Sequence, residues 1–150
     1  MSIQVNFQGS NGGFVPPVNF VNLLGKTVVI QSAQILTLAS NPVELIPAVP
    51  GYTICPVQVL GFLNPLGAAY QTNGNLSIYF PTANKNLYYK LGTDFLFSTG
   101  FASANFAIDN ATANDQQYRT SESLYLTTEF GNPTNGNGIL ILYILYALIN

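Results

Sequence analysis

Ile139-Leu140-Ile141-Leu142-Tyr143-Ile144-Leu145-Tyr146-Ala147-Leu148-Ile149 is an unbroken run of eleven apolar residues. As a helix it would reach only about 16 Å, against a bilayer hydrocarbon core of about 30 Å, so it predicts no membrane span. Its β-branched and aromatic content, and the turn residues just before it, predict a strand instead. A strand without polar alternation needs cover on both faces. The second sheet of a sandwich supplies one cover. Another subunit or another segment of the same chain supplies the other, and Leu140, Leu142 and Ile144 are the residues predicted to meet a partner.

Working outward, Gly131-Asn132-Pro133-Thr134-Asn135-Gly136-Asn137-Gly138 joins this strand to Ser121–Phe130. That segment alternates Leu124, Leu126 and Thr128 with Tyr125, Thr127 and Glu129, and the two strands together predict a long closing hairpin. Further strands are expected near Ile3–Phe7, Lys26–Gln31, Gln34–Leu38, Val43–Pro47, Tyr52–Phe62, Asn75–Phe80, Leu87–Leu91, Phe95–Ser98 and Asn105–Ile108. Asn41-Pro42, Val49-Pro50-Gly51 and Asn64-Pro65-Leu66-Gly67 separate them, since Gly and Asn accept positive φ and Pro presets φ near −65°. Asn73-Gly74 is the dipeptide that a tight hairpin turn favours. No window sustains an amphipathic helical stripe, so the chain reads as all-β, a single antiparallel β-sandwich over residues 26–150.

Residues 1–25 read differently, as an extended N-terminal arm. Gln8 to Gly13 is flexible in composition, whereas Phe14-Val15-Pro16-Pro17-Val18-Asn19-Phe20-Val21-Asn22-Leu23-Leu24 is apolar and stiffened by proline. Such a segment must dock, and Phe14, Phe20 and Leu23 are its expected contacts with a neighbouring subunit or another protein. The first residues lack the basic and apolar regions of a secretory leader.

Charge is scarce: four Lys or Arg and six Asp or Glu make up 7% of the chain, against about a quarter in an ordinary domain. Polarity comes from Asn, Gln, Ser and Thr, which enter a packed interface without the cost of burying an ion. The composition therefore predicts a building block that associates with itself. Lys26, Lys85, Lys90 and Arg119 form no basic run, so no nucleic-acid partner is expected. The lone Cys55 predicts a small buried hydrophobe.

Common catalytic constellations fail at inventory. Without histidine there is no Ser-His-Asp or Cys-His pair and no histidine metal site. The carboxylates Glu44, Asp94, Asp109, Asp115, Glu122 and Glu129 sit in no recognisable motif, and Asp109 to Asp115 lacks the spacing of an EF-hand. No enzyme activity, cofactor or metal is expected. Nine Tyr and ten Phe keep open a carbohydrate- or receptor-binding module, with Tyr88-Tyr89 and Tyr143/Tyr146 as the visible clusters.

Three blocks carry a resemblance: Ser32-Ala33-Gln34-Ile35-Leu36-Thr37-Leu38 with Asn41-Pro42-Val43-Glu44-Leu45-Ile46-Pro47-Ala48; Gly67-Ala68-Ala69-Tyr70-Gln71-Thr72-Asn73-Gly74-Asn75-Leu76-Ser77-Ile78-Tyr79; and Gly131 to Gly138 before the last strand. In that order, over about half of the chain, they resemble small virion proteins of tailed bacteriophages. Val49-Pro50-Gly51-Tyr52 departs from the Gly-rich link to a basic residue that those proteins carry. The resemblance implies a non-enzymatic capsid decoration or cement protein on the particle surface. Its implied form is a single jelly roll, assembled as a homotrimer and in contact with the major capsid protein or another virion protein.

Overall fold

The computed structural model describes residues 23–72, 74–81, 87–108 and 120–149. Among these residues, nine strands form two antiparallel sheets. β1 (Leu24–Ile30), β3 (Thr53–Asn64), β6 (Ala102–Asn105) and β9 (Ile139–Ile149) make a four-stranded sheet in the order β1-β9-β3-β6. β2 (Val43–Ile46), β4 (Leu76–Tyr79), β5 (Leu87–Leu91), β7 (Ala107–Ile108) and β8 (Leu124–Thr128) make a five-stranded sheet in the order β2-β8-β4-β5-β7. The pairings β1 with β9, β2 with β8, β3 with β6 and β4 with β5 nest inside one another along the chain. That nesting, folded over into two sheets, is the jelly-roll order, with the two-residue β7 added at one edge. The expected all-β sandwich is the observed architecture.

Alternation decides which side chains enter the core. Leu140, Leu142 and Ile144 of β9 meet Ile30 and Val28 of β1 and Leu63 and Val59 of β3, and with Leu124, Leu126, Leu76 and Ile78 of the opposite sheet they form one buried cluster. Gly61 lies in the same layer, opposite Leu142, where an added Cβ would stand 3.1 Å from the Phe106 ring; the missing side chain is the space that ring fills. Pro56 cannot donate to a ladder, and the β3–β9 register slips beside it, leaving Val57 as a bulge.

Several expected strands take another form. Gln34–Leu38 falls in the short helix α1 (Ser32–Ile35) and the turn that follows. The Gln31 N–H donates to Gln34 Oε1 at 2.9 Å, and the Leu36 N–H to the Ser32 carbonyl at 3.0 Å. Ile35 and Leu38 are both fully buried, a spacing of three that a strand would point to opposite faces. Phe95–Ser98 begins in a 3₁₀ turn over Thr93–Phe95, where the Phe95 N–H donates to the Gly92 carbonyl at 3.2 Å, a local bond in place of a ladder bond. The expected strand over Asn105–Ile108 divides between β6 and β7, which sit in different sheets. Ile3–Phe7 lies outside the described residues, and the β1 ladder takes in Leu24 and Gly25 from the segment read as arm.

The closing hairpin is also corrected. β8 and β9 belong to opposite sheets, so the segment from 129 to 138 crosses from one to the other. Asn73-Gly74 is likewise no hairpin turn, because β4 pairs with β5 and β8, both later in the chain.

The crossing segment is tied at several points. Asn132 Oδ1 accepts the N–H groups of Ala39 (2.8 Å) and Ser40 (3.1 Å), and Asn137 Oδ1 accepts that of Ala68 at 3.0 Å. Thr134 and Gln71 exchange two backbone hydrogen bonds, of 2.8 and 2.7 Å. The Tyr70 hydroxyl, fully buried, donates to the Gly138 carbonyl at 2.6 Å. Gly136 has φ +75°, and a Cβ there would overlap the Tyr70 ring, so both conformation and space demand glycine.

Candidate assembly surface

Strand β9 is apolar on both sides, and its two sides meet different surroundings. Leu140, Leu142 and Ile144, expected to need another subunit, are covered by the second sheet of their own chain. The correction has a simple cause: the crossing segment carries β8 to the opposite sheet, which then packs on β9 from within. Among the described residues, the other side of β9 stays partly exposed.

That outer face is built in rows. Val29, Ile141 and Phe62 lie side by side, as do Thr27, Tyr143 and Leu60, and then Gly25, Leu145 and Gln58. Val29 is 49% and Tyr143 47% exposed; Ile141, Phe62, Leu60 and Leu145 are half-buried by one another. The Tyr143 ring stands edge-on to Phe62 at 5.4 Å and 86°, and Phe101, 70% exposed, extends the cluster from the β6 side at 6.0 Å from Phe62. Neighbouring rings therefore hold Phe62 in place from both sides.

No Asp, Glu, Lys or Arg occupies an outward position of these four strands. Lys26 is their one charged residue, and it lies opposite the buried Ile144, on the inward register. A shallow hollow of about 210 Å³, lined by Lys26, Thr27, Gln58, Leu60 and Tyr143, opens on this face. Burying the exposed part of Val29 or Tyr143 returns on the order of 1 kcal/mol each, half of what full burial of such a side chain gives.

The outer side of the five-stranded sheet is polar. Glu44, Tyr125 and Tyr79 form one row, with the Tyr125 hydroxyl 3.4 Å from Glu44 Oε1, and Ser77, Thr127 and Lys90 form the next. Lys90 Nζ lies 3.0 Å from Glu129 Oε1, whose other oxygen accepts from Asn75 Nδ2 at 2.8 Å. The Thr127 hydroxyl donates to the Leu38 carbonyl at 3.1 Å. Burial raises the Tyr79 hydroxyl above its ordinary pKa, and the neighbouring Tyr125 adds to the effect.

Of the other residues expected at an interface, Leu23 stands just ahead of β1, 59% exposed. Phe14 and Phe20 lie outside the described residues, as does the Asp109 to Asp115 loop. Cys55 is half-buried on β3, opposite Ala147, and carries no disulfide. Sequence reasoning passed over Val29, Leu60, Phe62 and Leu145. The available signal was the spacing of apolar residues at every second place in β1 and β3, which reads equally well as a core face until the topology says which side is inside.

No family model matches the chain, and no curated protein matches it. Among solved structures it is similar to a chain described as the capsid of Ralstonia phage GP4, with 15% identity and a TM-score of 0.45 over 89% of this chain and 88% of that one.

Proposed function

We propose that this protein is a non-enzymatic structural component of a bacteriophage virion, a decoration or cement protein of the particle surface whose copies associate through the outer face of the four-stranded sheet. The observation that carries the reading is the uncharged apolar face of Val29, Ile141, Phe62, Tyr143 and Leu60, set on strands whose other side already forms the core. Folding needs only the inward set of side chains, so the outward set has a use beyond folding. Scarce charge offers little repulsion between copies, and the ordered blocks that resemble tailed-phage virion proteins supply the particle.

Within this reading the protein forms a homotrimer, a closed symmetric assembly that leaves no open-ended contact. The assembly then meets the major capsid protein, with Phe14, Phe20 and Leu23 of the arm as a second set of contacts. Native mass spectrometry of the full chain tests the oligomer: trimers are expected, and Tyr143→Lys with Val29→Lys returns monomers of unchanged circular dichroism. Electron microscopy of labelled virions tests the location, with regular positions over the shell expected. A wild-type monomer throughout the micromolar range, or label confined to a tail tip, overturns the respective half of the proposal.

A further inference from the structure

Apart from the outer face, and sharing no residue with it, the crossing segment and the chain around Tyr70 enclose an open cleft of about 680 Å³. Phe130 and Phe97 stand on its walls, and Gln71, Asn132 and Thr134 supply its polar lining. Phe130 is 88% exposed and has φ +60°, a backbone conformation that bulky side chains rarely adopt. Phe97 is 40% exposed.

A strained, exposed aromatic has no role in the stability of the single chain, and the surrounding segment gives it no freedom to relax. Beside it, the Thr128 hydroxyl donates to the Gly131 carbonyl at 2.9 Å, Asn132 is held by Ala39 and Ser40, and Thr134 is bridged to Gln71. Strain held in a rigid frame marks a place built to meet something else. The cleft is concave and of ligand size, so it receives an occupant rather than inserting a knob into a neighbour.

Its chemistry narrows the occupant. No lining residue among those described is charged, and none of them suits a phosphate, a carboxylate or a cation. Gln71 Oε1 is taken by Asn135 Nδ2 at 3.0 Å, whereas Gln71 Nε2 and the Thr134 hydroxyl have no partner among the described residues. Two aromatic faces beside unused amide and hydroxyl groups suit a molecule with an apolar C–H face and a rim of neutral hydroxyls. We propose that this cleft binds a neutral carbohydrate, with the sugar ring against Phe130 and Phe97 and its hydroxyls on Gln71 and Thr134.

The test uses the full chain on a microarray of neutral and acidic glycans. Titration of isotope-labelled protein with the neutral oligosaccharides that score, and with maltohexaose and cellohexaose in any case, then locates the site by amide shifts. Binding of a neutral glycan is expected, with shifts gathered at Phe97, Phe130 and Thr134. Phe130→Ala and Phe97→Ser should each weaken it on the order of tenfold without changing the melting temperature. If Phe130→Ala does not fold, Phe97→Ser and Thr134→Val give the answer. The proposal fails if no neutral glycan binds, if only acidic glycans bind, or if binding survives both aromatic substitutions. It fails also if Phe130→Ala alters self-association while no glycan moves the cleft amides, which would make the cleft a protein contact.

Discussion

On the outside of the four-stranded sheet, Val29, Ile141 and Phe62 lie in one row and Thr27, Tyr143 and Leu60 in the next, without a charge among them. On the outside of the five-stranded sheet the corresponding rows hold Glu44 with Tyr125, and Thr127 and Lys90 on either side of Ser77, and Glu129 closes the end. Both sheets bury their inward side chains in one core, but on the second sheet the outward Ser77, Tyr79 and Thr127 are buried as well, with the Thr127 hydroxyl donating to the Leu38 carbonyl. Tyr125, Thr127 and Glu129 on or beside the second sheet have hydrogen-bond partners within the molecule, whereas the buried Ser77 hydroxyl has none among the described residues. Apolar groups on the first lie against one another and, among the described residues, stay partly exposed. A face of that kind is where association lowers the free energy most, because no ion has to be desolvated.

Substitutions on either side of β9 give the largest contrast. Leu142→Ala removes a fully buried side chain opposite Val28 and Gly61, and unfolding in denaturant should show a loss of about 2–5 kcal/mol. Tyr143→Ala, one residue on, should cost the dissociated chain less than about 1 kcal/mol, yet weaken self-association. An equal cost at both positions would mean that the outer face is covered within the chain.

The polar face should behave in the opposite way. Glu129→Ala removes the acceptor of Asn75 and the partner of Lys90, and a loss of about 1.5–3 kcal/mol is expected, given the charged hydrogen bonds involved. Native mass spectrometry should find the oligomer unaltered. Dissociation in this variant would bring the second sheet into the interface.

A smaller effect separates the faces by pH. Burial raises the hydroxyls of Tyr79 and, beneath the crossing segment, Tyr70 above their ordinary value of 10.0. The unfolded chain then loses these protons first. Their contribution is fully present below about pH 10 and declines as pH rises through the folded values. Denaturant midpoints measured across this range should fall, and Tyr79→Phe should reduce the slope. Tyr70→Phe also removes the bond to Gly138, at about 1 kcal/mol at neutral pH. A slope unchanged by both substitutions would show that neither hydroxyl is linked to folding.

How much of this was legible differs from element to element. β5 and β9 run over the residues that composition marked, because β-branched and aromatic runs bounded by turn residues have few other uses. Gln34–Leu38 misled because its apolar residues also suit a short strand; a local hydrogen bond from Gln31 to Gln34 and the burial of Ile35 with Leu38 decided for helix. Phe97 and Phe130 were counted only among aromatics, since no feature of the chain marks a positive φ at a phenylalanine. Conversely, the low charge pointed to an apolar association surface without saying where it lay.

The sequence by itself determined the all-β class, the apolar strand over Ile139–Ile149, and the poverty of charge. These follow from local preference and composition, which act over a few residues. Only the tertiary structure decided that β8 and β9 part into opposite sheets, that Leu140, Leu142 and Ile144 belong to the core, and that Val29, Phe62 and Tyr143 are left outside. An alternating strand has two sides that are interchangeable in sequence, and a strand apolar on both has no preference at all. Which side faces inward is set by contacts between residues a hundred positions apart, such as Val28 with Leu142, and no short stretch of chain contains that information.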